Sequence, residues 1–319
     1  MFEYILLLVG IFLLVKGADY LIEGASSLGK LLKITPLIIG LTVLAFSTSI
    51  PELTINIFSS IGGTSDIGLG NIIGSNIANI LLILGAIAFF MLIKVRNVVI
   101  KKGIPFTLFS VFIFMLLAND SFFNGPNILS RIDGIILLIF FAIFIYYIYL
   151  IGRKDKAKLL PEELEPQKHN KLIITSMIIG GIIALFIGGK LVVDSAIIIA
   201  RQLGLSEFLI SATILAIGTS LPELIVSIVA ATKKKLDFVV GNIIGSNIFN
   251  TFLVLGISSI IRPMPFNSIF NFDLLFLFII TAWLLVFMYV GKKHQLEKWN
   301  SYVFIGLYIF YLAYIIIRG

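Results

Sequence analysis

The chain of 319 residues has no cysteine, two histidines, and only 13% Lys, Arg, Asp and Glu. Without cysteine there are no disulfides and no thiolate-held metals. Two isolated histidines leave nothing from which to build a zinc or copper centre. The shortage of charge excludes more. Soluble chains carry about 25% charged residues, and half that number cannot clothe a soluble surface. A soluble enzyme, a nucleic-acid binder and a disordered protein are therefore all excluded. What fills the chain instead is apolar, at 59% hydrophobic residues. A bilayer-crossing helix takes about 20 of them, so nine or ten spans fit, with no room for a sizeable extramembrane domain. The net charge of +7 then belongs to loops and not to a nucleic-acid patch. The first residues lack the basic start of a signal peptide and read as a retained first helix.

Apolar runs fall at 4–23, 34–58, 68–92, 104–118, 132–151, 172–196, 208–231, 238–261, 272–290 and 301–317. They are continuously apolar, without the alternation of a transmembrane strand, so the expected fold is all-α and polytopic with ten spans. Threading ten spans with the N-terminus outside sorts the basic residues. Eighteen Lys and Arg, among them Lys30, Lys33, Arg96, Lys171, Lys233, Lys234, Lys235 and Lys298, fall in inside loops, and Arg131, Arg201, Arg262 and Arg318 fall outside. This bias predicts a multi-pass cell-membrane protein with both termini extracellular and the loop 152–171 cytoplasmic. Lys16 and Lys190 lie near span ends, where a long side chain can snorkel.

The two halves repeat each other. Thr48-Ser49-Ile50-Pro51-Glu52 returns as Thr219-Ser220-Leu221-Pro222-Glu223. Gly70-Asn71-Ile72-Ile73-Gly74-Ser75-Asn76-Ile77-Ala78-Asn79 returns as Gly241-Asn242-Ile243-Ile244-Gly245-Ser246-Asn247-Ile248-Phe249-Asn250, at the same offset of 171 residues. Shared apolarity would not reproduce two polar strings in register, so the chain is read as a duplication. The first five-helix repeat is 1–151, with its motif region at 40–85. A linker follows at 152–171, and the second repeat is 172–319, with its motif region at 211–256. Five spans per repeat is an odd number, so the second copy must enter the membrane inverted. Inverted repeats place substrate sites where the two copies meet.

Glu52 and Glu223 are the acids expected deep inside spans, where a carboxylate costs a few kcal/mol. No Lys or Arg lies at that depth to pair with them. On a helix Thr48 and Ser49 share a face with Glu52, and Thr219 and Ser220 share one with Glu223. Pro51 and Pro222 each remove a backbone hydrogen bond, disturbing the carbonyls of Ser47 and Gly218 and making those of Ala45 and Ala216 candidates for coordination. Asn71, Ser75 and Asn79 form a polar stripe, matched by Asn242, Ser246 and Asn250. Gly70 and Gly74 read as close helix packing. The pooled ligands are all oxygen, which suits a hard cation such as Ca²⁺, with two carboxylates to balance its charge, and also admits Na⁺.

These two strings resemble the alpha repeats of the Ca²⁺:cation antiporter superfamily, and are most similar to those of prokaryotic sodium/calcium exchangers. The resemblance implies ten helices, with the second, third, seventh and eighth forming the ion-binding core and the first and sixth a long pair sliding across it. It implies Ca²⁺ held by Glu52, Glu223 and the carbonyls of Thr48 and Thr219, and Na⁺ sites drawing on Ala45, Ser49, Ser75, Ala216, Ser220 and Ser246. Some members carry an aspartate where this chain has Asn250, so coupling to H⁺ or K⁺ is the alternative to Na⁺. The central loop is too short for the Ca²⁺-sensing domains of animal exchangers. The expected activity is secondary antiport of Na⁺ for Ca²⁺ by alternating access, extruding Ca²⁺. No enzyme chemistry, cofactor, nucleic acid or obligatory protein partner is expected; the partners are the ions and the lipid bilayer. A channel would need a continuous pore, and an intramembrane hydrolase a nucleophile–base set that the chain lacks.

Overall fold

The computed structural model describes residues 2–120, 125–155, 169–204 and 216–318. Unbroken apolar sequence becomes helix almost throughout. The helices are α1 (Phe2–Leu32), α2 (Pro36–Thr48), α3 (Ile50–Gly62), α4 (Ser65–Phe90), α5 (Val99–Ala118), α6 (Arg131–Asp155), α7 (Lys171–Gln202), α8 (Leu221–Thr232), α9 (Leu236–Ile261), α10 (Phe270–Phe287) and α11 (Lys298–Arg318). Among the described residues eight helices are long and apolar enough to cross a membrane, and α2 with α3, bent by 44°, makes a ninth. The expected seventh span, 208–231, is represented by one turn at Ala216–Gly218 and by α8, and its first third, 208–215, lies outside the described residues. So does most of the 152–171 linker.

Two boundaries differ from the apolar runs. Helices α1 and α7 continue to 31 and 32 residues, past the runs ending at 23 and 196. Charge ends a hydrophobic run without ending a helix, and Lys30 and Arg201 sit in the last turns, where a cation favours the helix dipole. At 1.5 Å per residue each helix reaches about 47 Å, well over the ~30 Å hydrocarbon core, so both must tilt or protrude. The short run at 104–118 gains a wide π-helical turn, Val99–Gly103, which brings α5 to 20 residues.

Burial ranks the helices from centre to rim. In its most apolar stretch α9 is 94% buried, whereas α6 is 22% buried. The rim helices turn side chains such as Leu8, Phe12, Ile132 and Ile139 outward, as lipid-facing surfaces do.

Glycine brings backbones together at several crossings, of which two bear on the site. A Cβ at Gly10 would lie 2.9 Å from the Gly188 carbonyl oxygen, and one at Gly181 would lie 2.8 Å from that of Gly17. The offset of 171 exchanges these two contacts, so α1 and α7 cross reciprocally. At the second crossing α2 meets α9. There a Cβ on Gly241 would come within 2.7 Å of the Leu37 carbonyl oxygen, and one on Gly245 within 2.8 Å of that of Leu41. Close packing holds at Gly241 and Gly245 but not at Gly70 and Gly74, where the sequence suggested it: a Cβ at Gly70 would meet only the Phe270 ring at 3.7 Å, and one at Gly74 nothing within 4 Å.

Contacts between loops sort them into two ends of the bundle. At one end β1 (Ile93–Lys94) pairs antiparallel with β4 (Gln295–Leu296). There Arg96 meets Asp237 at 2.8 Å, Lys233 meets Asp19 at 2.8 Å, and His169 is half-buried 3.2 Å from Glu23. At the other end β2 (Ile128–Leu129) pairs with β3 (Met264–Pro265), and Arg318 holds the buried Asp273 at 2.7 Å. Each set unites loops that the charge count places on one side.

Candidate cation-binding site

The site forms where α2 and α3 break. Ser49 leaves the helical region at ψ 4°, and Ile50-Pro51-Glu52 opens the next helix. Ser220 does the same at ψ 4° ahead of Leu221-Pro222-Glu223. Proline suits the first turn of a helix, because the N–H it lacks would be an orphan there. Each break turns the last carbonyls of one segment and the first N–H groups of the next toward the same space. Glu52 and Glu223 therefore stand in first turns, at the positive ends of α3 and α8, where a carboxylate is favoured.

The two carboxylates are fully buried. All four carboxylate oxygens are unpartnered. The hydroxyls of Ser49 and Ser220 and the amide oxygens of Asn79 and Asn250 are buried and unpartnered as well. Buried polar groups in folded proteins nearly always have partners. Eight of the orphaned oxygens, four from each half, belong to the duplicated motifs.

Neighbouring hydrogen bonds cross between the halves in reciprocal pairs. Thr48 Oγ1 lies 3.2 Å from Ser246 Oγ, and the equivalent Thr219 Oγ1 lies 3.2 Å from Ser75 Oγ. Asn79 Nδ2 donates to Asn247 Oδ1 at 2.9 Å, and Asn250 Nδ2 donates to Asn76 Oδ1 at 3.1 Å. Thr48 also donates to Asn242 Oδ1 at 3.2 Å. Beyond Asn79 and Asn250 the helices widen into π-helical turns, Asn79–Leu84 and Phe249–Val254. Such turns shift the register of side chains and often mark functional sites. From the rim, Phe140 stacks on Phe252 at 5.6 Å and Phe141 meets Phe249 edge-on at 4.8 Å, supporting the second wide turn.

Most of the sequence candidates meet here: Glu52, Glu223, Thr48, Thr219, Ser49, Ser220, Ser75, Ser246, Asn79 and Asn250. The Ala45 carbonyl lies in the same turn but is not freed by Pro51, since it accepts from the Ser49 N–H at 3.0 Å. A carbonyl has two lone pairs, so this bond does not exhaust it. Ala216 opens the turn before the second break. Asn71 is half-buried at the margin, with its Nδ2 unpartnered. Asn76 and Asn247 lie one residue off the polar stripe and so outside the candidates that its spacing picks out. Their signal was membership of the same duplicated string. Among the described residues no three His, Cys, Asp or Glu side chains cluster as a metal site. The cage is a carboxylate pair completed by neutral oxygens, a donor set suited to a hard cation that must also leave.

A cavity of about 290 Å³ reaches this cage between the two breaks and α7. Pro51, Thr54, Thr219 and Pro222 line it on one side and Gly189, Lys190, Val193 and Asp194 on the other.

Comparison with known proteins agrees with this chemistry. The chain matches the family described as sodium/calcium exchanger protein in two stretches, 2–150 and 173–317. It is 31% identical to the sodium/calcium exchanger MaX1 of Methanosarcina acetivorans, with 99% of this chain and 98% of the relative covered. The inner membrane protein YrbG of Escherichia coli is 37% identical over 81% of this chain and 79% of its own length. A solved structure of the sodium-calcium exchanger NCX_Mj, soaked with zero Na⁺ and Ca²⁺, superposes with a TM-score of 0.81 at 31% identity, covering 98% of both chains. A duplicated acid–hydroxyl–amide cage, the matched residues and the shared fold lead to one conclusion: the chain is a multi-pass membrane transporter of the sodium/calcium exchanger family, and not an enzyme.

Proposed function

We propose that the protein exchanges Na⁺ for Ca²⁺ by alternating access, in the direction that extrudes Ca²⁺. One observation carries the reading: eight buried, unpartnered oxygens, including both carboxylates, contributed equally by the two halves. In this account Ca²⁺ binds between Glu52 and Glu223 with the Thr48 and Thr219 carbonyls. Na⁺ draws on Ala45, Ser49, Ser75, Ala216, Ser220 and Ser246, and Asn79 and Asn250 complete the cage. Ten helices in two inverted repeats, 1–151 and 172–319, supply the architecture, with the termini extracellular and the linker cytoplasmic. The reciprocal contacts at the offset of 171, the two family matches and the sorting of loops into two ends support it. Repeats that exchange conformations turn an outward-open cage into an inward-open one. Helices α1 and α7, crossing on bare glycine, are the pair that slides.

The test is ⁴⁵Ca²⁺ uptake into proteoliposomes under imposed gradients of Na⁺, K⁺ and H⁺ in turn. Uptake that follows outward Na⁺ and ignores the other two is the expected result. Uptake indifferent to Na⁺ contradicts the proposal. A second reading, H⁺- or K⁺-coupled Ca²⁺ antiport, draws on the same cage, since two carboxylates without a basic partner also accept protons. Uptake driven by the H⁺ or K⁺ gradient alone would select it.

A further inference from the structure

An amide side chain offers a cation either its oxygen or its NH₂, and only the oxygen binds. Asn79 and Asn250 are flexible in this respect, and four hydrogen bonds decide the matter. Asn76 Nδ2 lies 3.4 Å from the Asn247 backbone carbonyl oxygen, and Asn247 Nδ2 lies 3.2 Å from that of Asn76. A backbone carbonyl can only accept, so both contacts must be made by NH₂ groups. That fixes the opposite edge of each amide as oxygen. Asn76 Oδ1 accepts from Asn250 Nδ2 at 3.1 Å, and Asn247 Oδ1 accepts from Asn79 Nδ2 at 2.9 Å. With their donors committed, Asn79 and Asn250 are left with a buried, unpartnered oxygen each.

We infer that Asn76 and Asn247 are positioning residues, a reciprocal pair that locks the Asn79 and Asn250 amides with oxygen toward the transported cation. The chain of determination runs from backbone carbonyl, to the pair, to the ligand amide. All four side chains are at most 1% exposed, so water does not compete for the bonds. The two halves differ in one anchor. Asn76 Nδ2 also donates to Thr251 Oγ1 at 3.0 Å, whereas the position equivalent to Thr251 is Ile80. The sense of the Asn250 amide is therefore the more firmly held. Partners that orient metal ligands without touching the metal typically contribute 10–100-fold in affinity.

The inference rests on the proposed cation cage, and the two can fail separately. Equilibrium ⁴⁵Ca²⁺ binding to the full-length protein in detergent, with Glu52→Gln alongside, tests the cage. Binding that survives this substitution removes the cation reading itself. The positioning role is tested by a double-mutant cycle on Asn76→Ala and Asn250→Ala, with melting temperature measured in parallel. Asn76→Ala is expected to weaken Ca²⁺ binding about tenfold in the wild-type background and less than twofold when Asn250 is already alanine. The mirror cycle, Asn247→Ala with Asn79→Ala, gives the same pattern and serves where one variant folds poorly. An equal loss in both backgrounds, tracking the melting temperature, makes the pair merely structural and overturns the inference. So does the absence of any loss in the single variants.

Discussion

Two of the interfaces between the halves are built in opposite ways. Where α4 meets α9, side-chain amides and hydroxyls join across the midline in directional bonds: Asn76 with Asn247, Asn79 with Asn247, Asn250 with Asn76. Where α1 meets α7, the contact is glycine backbone against glycine backbone, Gly10 with Gly188 and Gly17 with Gly181. Directional bonds have one good geometry and lose their energy when displaced. Bare backbone offers a smooth surface over which a partner can shift while keeping van der Waals contact. A transporter needs both kinds, one to hold its ligand atoms still and one to move past them.

The largest predicted effect is in the cage that the rigid interface adjoins. Glu52→Gln or Glu223→Gln removes a carboxylate from the cage, and ⁴⁵Ca²⁺ exchange should fall by at least about 100-fold, more than the loss of a supporting partner. Both variants should elute as folded, monodisperse protein, because the native carboxylates have no hydrogen-bond partners to lose.

The next prediction breaks the smooth interface. Gly181→Ala places a Cβ 2.8 Å from both the Gly17 carbonyl oxygen and the Leu21 nitrogen, and backbone cannot rotate away as a side chain can. Overpacking of this kind costs about 1–3 kcal/mol. Thermal unfolding should show that loss. Exchange should slow while equilibrium Ca²⁺ binding stays within about twofold of wild type (~0.4 kcal/mol), since no cage atom is touched. Impaired binding with normal exchange would reverse the assignment of roles to the two interfaces.

A smaller effect sharpens the comparison inside the rigid interface. Thr251→Val removes one anchor of Asn76 and leaves an amide proton without that acceptor, at about 1 kcal/mol. Ca²⁺ binding should weaken about fivefold, and Ile80→Val, at the equivalent position, should not weaken it.

The smallest effect lies between α1 and the C-terminal end of α8. Asp19 and Lys233 meet at 2.8 Å but are each about one-third exposed. Solvent screens such a pair, so Asp19→Asn should change stability by less than about 1 kcal/mol, with the difference shrinking further at high salt. Unfolding curves at low and high ionic strength check this.

Much of this was legible in the residues. The apolar runs and the shortage of charge gave the membrane class, and two polar strings repeated at 171 residues pointed to Glu52 and Glu223. The reach of α1 and α7 was not legible, because Lys30 and Arg201 end a hydropathy pattern while continuing a helix. The π-helical turns after Asn79 and Asn250 lie in plain apolar sequence whose wider winding is set by tertiary packing. Asn76 and Asn247 were overlooked for a geometric reason. A stripe at i, i+4 and i+8 keeps one helical face in view, and these residues point about 100° away from it, toward each other. Only the opposed pairing of two helices gives them a meaning.

The central claim is that the orphaned oxygens of Glu52 and Glu223 enclose the transported divalent cation. Crystals soaked in Sr²⁺, with anomalous scattering recorded near its absorption edge, test it most directly. The account predicts one dominant peak within about 2.3–2.7 Å of carboxylate oxygens from both glutamates, abolished in Glu52→Gln. A Sr²⁺ peak elsewhere, or an undiminished peak in that variant, would contradict it.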